Sequence, residues 1–226
     1  MLNGLDLFSG IGGITVALSP WVSPVAYCES DRFAQGILLS RMATGELPWG
    51  PIWDDVRTLH KGCLLQTPDV IYGGFPCQPY SSASRGRKAK CEYRKEFARL
   101  VNEIKPGIVF AENTTLEAVH GLAELLDGYD AKICANSAAE VGRPFIGRRY
   151  WMVAKTNSNG KPIITIDDEM GIMQTPSQVV WEETTPENIR VDDGVPNRMD
   201  RARALGNAVV PLQARKAFGI LSGFTR

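Results

Sequence analysis

Short apolar runs alternate with helically spaced apolar positions along the first half of the chain. GLDL, at residues 4–7, reads as a strand that feeds the glycine-rich SGIGG and then a helical stretch. VSPVAYCESD, at 22–31, is a second strand that ends in acid. From Asp31 to Met42 the spacing of Phe33, Ile37 and Leu38 predicts a helix, with Asp31 placed to cap its start. Pro48 and Pro51 break the chain. DVIYGG (69–74) is another apolar strand running into glycine, and EFARLVNEI (96–104) is helical until Pro106 stops it. IVFAEN (108–113) is a strand that ends in a carboxylate. An amphipathic helix is expected over 115–127, from Leu116, Val119, Leu122 and Leu125, and YWMVA (150–154) is strand-like.

Strand and helix in alternation predict an α/β fold with a doubly wound, mostly parallel sheet, whose ligands sit at the carboxyl ends of strands. Every chemically interesting segment ends a predicted strand. From about 155 to 197, Asn, Gly, Pro, Thr and acids dominate around short apolar pieces such as PIITI. The expected organisation is a catalytic domain at 1–142, a small irregular region at 143–197 and a segment at 198–226 that returns to the first domain. That last segment has a turn at Gly206–Asn207 and then an apolar helix able to pack on the sheet.

Composition narrows the class without naming a partner. The 226 residues are 44% hydrophobic and 22% charged, enough to bury a core. Lys and Arg number 25, as do Asp and Glu, so net charge neither supports nor excludes nucleic acid. MLNGLDLFSG has no basic stretch before a long apolar one, and no run of about 18 apolar residues follows. A cytoplasmic protein is expected, with no membrane partner. Five cysteines (Cys28, Cys63, Cys77, Cys91 and Cys134) form no CxxC pair, so neither a zinc site nor a redox pair is indicated. Cys28 and Cys134 read as small buried apolar residues.

Cys77 is different because two glycines and two prolines in GGFPCQPYSSAS fix the backbone around it. Its reactivity requires the thiolate, which nearby basic groups favour, and Arg85, Arg87, Lys88, Lys90, Arg94 and Lys95 follow closely. The same basic stretch could hold phosphates. Ser9, Gly10, Ile11, Gly12 and Gly13 let a ligand approach the backbone, and Glu29 at the next strand end suits ribose hydroxyls. Asp55 follows the region of the third strand. Glu112 could hydrogen-bond the Watson–Crick edge of a cytosine and protonate N3, making C6 open to thiolate attack. Arg143, Arg148 and Arg149 offer donors to a phosphate or a pyrimidine carbonyl.

DLFSGIGG, Glu29, Asp55–Val56, GGFPCQPYS, Glu112–Asn113, GRPFIGRRYW and RALGNAVVP stand in the order of the DNA (cytosine-5)-methyltransferase motifs. The chain resembles that family over residues 4–154 and 194–216. The resemblance implies a Rossmann-like class I fold that uses S-adenosyl-L-methionine, with S-adenosyl-L-homocysteine as product. Phe8, Ser9, Gly10, Ile11, Gly12 and Gly13 would line the cofactor pocket, with Glu29 on the ribose and Asp55 and Val56 near the adenine. Pro76, Asn207 and Ala208 would complete it. Cys77 would be the nucleophile, Glu112 the group on N3, and Arg149 a contact to the base or its phosphate. Gln78, Ser81, Arg85, Arg87, Asn113 and Arg148 would touch the substrate.

The resemblance also implies a double-stranded DNA partner, no metal, and the cytoplasm of a bacterium or a phage-infected cell. A monomer is expected, with a separate specificity partner as the alternative. Two departures from the family stand out. Phe145, Ile146 and Gly147 follow Pro144 where the family has Gln or His and alternating arginines, and only the stretch at 155–197 is left for target recognition. A catalytically silent fold that binds DNA or protein stays open at this point, as does an enzyme for RNA or free cytidine nucleotide.

Overall fold

The computed structural model describes residues 1–76, 93–157, 163–167 and 208–224. Its strands are β1 (Leu2–Leu7), β2 (Val22–Cys28), β3 (Ile52–Trp53), β4 (Val70–Gly74), β5 (Ile108–Asn113), β6 (Tyr129–Asn136), β7 (Arg149–Thr156) and β8 (Ile164–Asp167). They form one eight-stranded sheet in the order β3-β2-β1-β4-β5-β7-β6-β8. β7 runs antiparallel to both its neighbours, and every other pairing is parallel. The expected α/β sheet, mostly parallel, is therefore present. Arg149–Thr156 and Ile164–Asp167, which the sequence groups with residues 143–197, are strands of this same sheet.

The helices are α1 (Gly13–Leu18), α2 (Arg32–Ala43), α3 (Tyr93–Ile104), α4 (Leu116–Ala123) and α5 (Pro211–Ser222). Asp31 caps α2 as expected, its Oδ1 accepting the Phe33 amide at 2.9 Å. α4 is shorter than the predicted 115–127. The amides of Leu125 and Leu126 bond three residues back, tightening the last turn before Gly128 reverses the chain at φ 83°.

Side-chain alternation along the strands builds two large cores, and Tyr27, Leu38, Met42 and Leu47 form a smaller one under α2. Leu5, Leu7, Ile71, Val109, Ala111 and Met152 pack with α3 and α4 through Phe97, Val101 and Leu122. Val70, Tyr72, Phe110, Trp151 and Val153 pack with α1 and α5 through Ile14, Leu18 and Phe218. Phe110 stacks on Trp151, with ring centroids 5.4 Å apart, and meets Phe218 edge-on at 5.1 Å. α5 thus covers one face of the sheet. Arg215 in α5 also caps the far end of α1, donating to the carbonyls of Val16 (3.1 Å) and Ala17 (3.0 Å).

β1 sits between β2 and β4, where the strand order reverses, and the two strands make an unusually close approach. A Cβ added at Gly73 would fall 1.9 Å from the Leu7 carbonyl oxygen. Gly73→Ala is therefore expected to destabilise the protein by about 3 kcal/mol or more, since backbone must move. Gly36→Ala, inside α2 with open space around the added methyl, should instead stabilise by about 0.5–1 kcal/mol. Urea unfolding of the two variants checks both signs.

Candidate active site

The turn after β1 is held by a carboxylate from the end of β2. Glu29 accepts the Gly10 amide on Oε2 and the Asp31 amide on Oε1, both at 2.7 Å. Gly10 and Gly12 adopt φ of 53° and 84°, a left-handed backbone that suits glycine. A Cβ added at Gly10 would meet nothing within 4 Å, so the turn leaves open space beside Glu29. Ser9 is buried and ties β1 to β2, its Oγ donating to the Asp6 carbonyl at 2.9 Å and accepting the Cys28 amide at 3.3 Å. Phe8, itself at φ 54°, turns its ring toward α3 and packs edge-on to Tyr93 at 5.6 Å.

Beneath this turn lies a group that sequence reading passed over. Asp6 is 1% exposed, and burial pushes its carboxyl up to about 8. Thr15 donates to its Oδ2 at 2.6 Å, which leaves the Tyr72 hydroxyl to donate to Thr15 at 2.9 Å. An acid within the apolar run GLDL was the available signal.

Val56 is buried behind the turn, and its carbonyl accepts from Arg99 at 2.9 Å. The Asp55 carboxylate is forked by Arg57, with contacts of 2.8 and 2.6 Å. Those hydrogen bonds hold it below the usual carboxylate range. A shallow depression of about 450 Å³ lies beside it, lined by Ser30, Arg32, Gln35, Leu39, Asp54 and Asp55. It shares Asp55 with the expected cofactor residues and includes none of the expected catalytic ones. On the other side of the turn, Val209 packs against Gly13, 3.0 Å from where a Cβ would stand, which places half-buried Ala208 near that turn.

Glu112 ends β5 on the sheet face that carries Phe110 and Trp151. Its carboxylate lies over Gly74 of β4, where an added Cβ would fall 2.6 Å from Oε2. The side chain is 7% exposed, and Arg149 Nε stands 2.9 Å from Oε1. That contact is ionic without being a well-directed hydrogen bond, because Oε1 has no hydrogen-bond partner among the described residues. Burial pushes the Glu112 carboxyl up to about 7, and Arg149 offsets part of the effect. Near neutral pH the group is therefore poised between proton donor and acceptor.

Asn113 is 2% exposed and its amide bonds within the protein. Nδ2 donates to the Phe75 carbonyl at 2.9 Å, and Oδ1 accepts the Thr114 amide at 2.8 Å. It thereby fixes the backbone two residues before Cys77. Arg148 lies over the Tyr150 ring at 5.6 Å. Pro76 is exposed at the edge of the described backbone. Cys77, Gln78, Ser81, Arg85, Arg87 and Asn207 lie outside the described residues. Cys28 and Cys134 are buried as expected, and burial raises the Cys28 thiol to about 12, which removes it as a nucleophile at neutral pH.

Among the described residues no group of three or more His, Cys, Asp or Glu is placed to hold a metal, and no helix is long and apolar enough to cross a membrane.

The raised Glu112 carboxyl has a consequence for stability. The folded state favours its protonated form, so its contribution is greatest below about 4.5 and is lost as pH rises through about 7. Compared with Glu112→Gln in urea unfolding, the parent protein should lose relative stability over that window; a constant difference from pH 4.5 to 8 would count against the burial argument.

The family model for C-5 cytosine-specific DNA methylase matches residues 2–162. The chain is 28% identical over 231 residues to the Type II methyltransferase M.CviJI of Paramecium bursaria Chlorella virus IL3A, covering 97% of this chain and 59% of the relative. It is 30% identical over 171 residues to M.HhaI of Haemophilus parahaemolyticus, covering 69% and 50% respectively. The chain therefore spans only about half to three-fifths of these relatives. Among solved structures, a DNA modification methyltransferase encoded within an E. coli prophage matches with a TM-score of 0.55 at 25% identity, over 69% of this chain and 47% of that one. Spodoptera frugiperda DNMT2 matches in fold, with a TM-score of 0.55 at 16% identity over 76% and 57%.

Proposed function

Because the chain belongs to the C-5 cytosine-specific DNA methylase family, we propose that it methylates C5 of cytosine in double-stranded DNA, with S-adenosyl-L-methionine as donor. The observation that carries this reading is the buried Glu112, seated over Gly74 and paired with Arg149, next to an asparagine that fixes the chain leading into Cys77.

The cofactor suits the residues present. Glu29 receives two amides and keeps acceptor capacity on both oxygens for the ribose hydroxyls. The open space beside Gly10 lets a ligand approach the backbone. Ser9, Ile11, Gly12, Gly13, Val56, Pro76, Asn207 and Ala208 complete the proposed pocket, and Asp55 joins it by sharing or releasing Arg57. S-adenosyl-L-methionine supplies an electrophilic methyl group and leaves as S-adenosyl-L-homocysteine.

The protein's own groups do the rest. A cytosine stacked in a duplex hides C6 from a thiolate, so the base must be turned out of the helix. Glu112 in its protonated form donates to N3, and Arg149 holds the base or its phosphate. The Cys77 thiolate then forms a bond to C6, and electron density moves to C5, which takes the methyl group. Loss of the C5 proton to a base and elimination of the thiolate restore the ring and the free cysteine. Arg85 and Arg87 serve the DNA backbone. Reading of the DNA sequence falls to the part of 143–197 outside β7 and β8, alone or with a specificity partner. We place the protein in bacterial or phage-infected cytoplasm.

Incubation with methyl-tritiated S-adenosyl-L-methionine and mixed-sequence duplex, followed by nucleoside analysis, should put label in 5-methylcytosine. Cys77→Ala should abolish transfer while cofactor affinity stays nearly unchanged. A duplex carrying 5-fluorocytosine should trap a covalent adduct, because fluorine cannot leave as a proton does. Label in RNA alone, or activity retained in Cys77→Ala, would overturn this reading.

A further inference from the structure

Gln213 is an amide on the face of α5 that buries Ala214, Ala217, Phe218 and Leu221. It is 1% exposed and stands beside Ala214, Ala217 and Phe218, all at 0%. A glutamine there must find partners inside the protein. Its Nε2 donates to the carbonyl of Asn136 at 2.9 Å and to that of Gly147 at 3.0 Å. Asn136 Nδ2 returns a bond to the Gln213 carbonyl at 3.0 Å, and Trp151 Nε1 donates to Asn136 Oδ1 at 2.7 Å. Both amide protons of Gln213 are thus used.

The recipients surround one short piece of backbone. Asn136 is the sheet partner of Arg149, and Trp151 is the sheet partner of Glu112. Gly147, at φ 42°, ends the turn two residues before Arg149. We propose that Gln213 is a positioning residue: by holding the Asn136 and Gly147 carbonyls it fixes the backbone from which Arg149 reaches Glu112. This rests on the function proposed above for that pair. β4 presents Gly74 to Glu112 and β7 presents Arg149, so the guanidinium is the charge that sets the carboxyl's surroundings among the described residues.

The test uses the full chain as the parent protein, Gln213→Met, Arg149→Gln and the double variant. Methionine keeps the length and apolar fit of the site but cannot donate. Arg215→Leu, which disturbs the contact of α5 with α1, serves as the control. Glu112 is titrated by carboxyl carbon NMR, which needs no turnover. Arg149→Gln should raise its midpoint above the parent value of about 7. Gln213→Met should move it the same way, the double variant should move it no further than Arg149→Gln alone, and Arg215→Leu should leave it in place.

In the methylation assay, Gln213→Met should lower kcat about tenfold and shift the pH profile upward while cofactor KM changes by less than about twofold. An unmoved Glu112 titration in folded Gln213→Met, or shifts that add in the double variant, would overturn the proposal. Should Gln213→Met fail to fold, Gln213→Leu carries the same expectations. If the parent protein transfers no methyl group, the reading of function fails, and the titration still decides the role of Gln213.

Discussion

A carboxylate withdrawn from water beside a single guanidinium governs much of this molecule. Burying the Glu112 side chain in its ionised form is costly unless a cation and hydrogen bonds replace the lost solvent, and here the cation is present while one oxygen has no hydrogen bond among the described residues. The arrangement survives because neighbouring residues are chosen to admit it. Gly74 gives the carboxylate room, the antiparallel strand β7 delivers Arg149 from the opposite direction, and Asn113 anchors the next segment. An antiparallel strand inside an otherwise parallel sheet has a geometric consequence here. It brings its first residue, Arg149, to the carboxyl end of β5.

The glycine turn follows the same logic with a different balance. Glu29 is half-buried and has two backbone amides, whereas Asp6, four residues before Gly10, is fully enclosed and its carboxyl accepts from the Thr15 hydroxyl. The half-buried acid is suited to accept hydrogen bonds from a ligand. The enclosed acid supports the turn from below, and its raised carboxyl allows it to remain neutral there.

Much of this was legible in the chain. Strands β1, β2, β4 and β5 follow from short apolar runs, and the cap at Asp31 from its place before a helical spacing. The acids at successive strand ends were visible for the same reason, since a parallel sheet aligns those ends. β6 was not foreseen, although Tyr129, Ala131 and Ile133 alternate with Asp130 and Lys132 in the period of a half-buried strand. Pairings between distant segments were also hidden. Nothing local at Asp55 reveals that Arg57 folds back on it, at Asn113 that its amide turns inward, or at Gln213 that its partners lie near Asn136 and Gly147. Such roles are settled by three-dimensional closure, which apolar periodicity does not encode.

The cover that α5 places over Ile14, Val70, Phe110 and Trp151 has a consequence for synthesis. These residues emerge from the ribosome long before Phe218, so one face of the sheet stays bare while the remaining chain is made. Contacts of such long sequence separation also slow the search for the native state. The nascent protein must therefore be kept from sticking to its neighbours until α5 arrives, and a polar substitution on that face would reduce that risk only by spoiling the finished core.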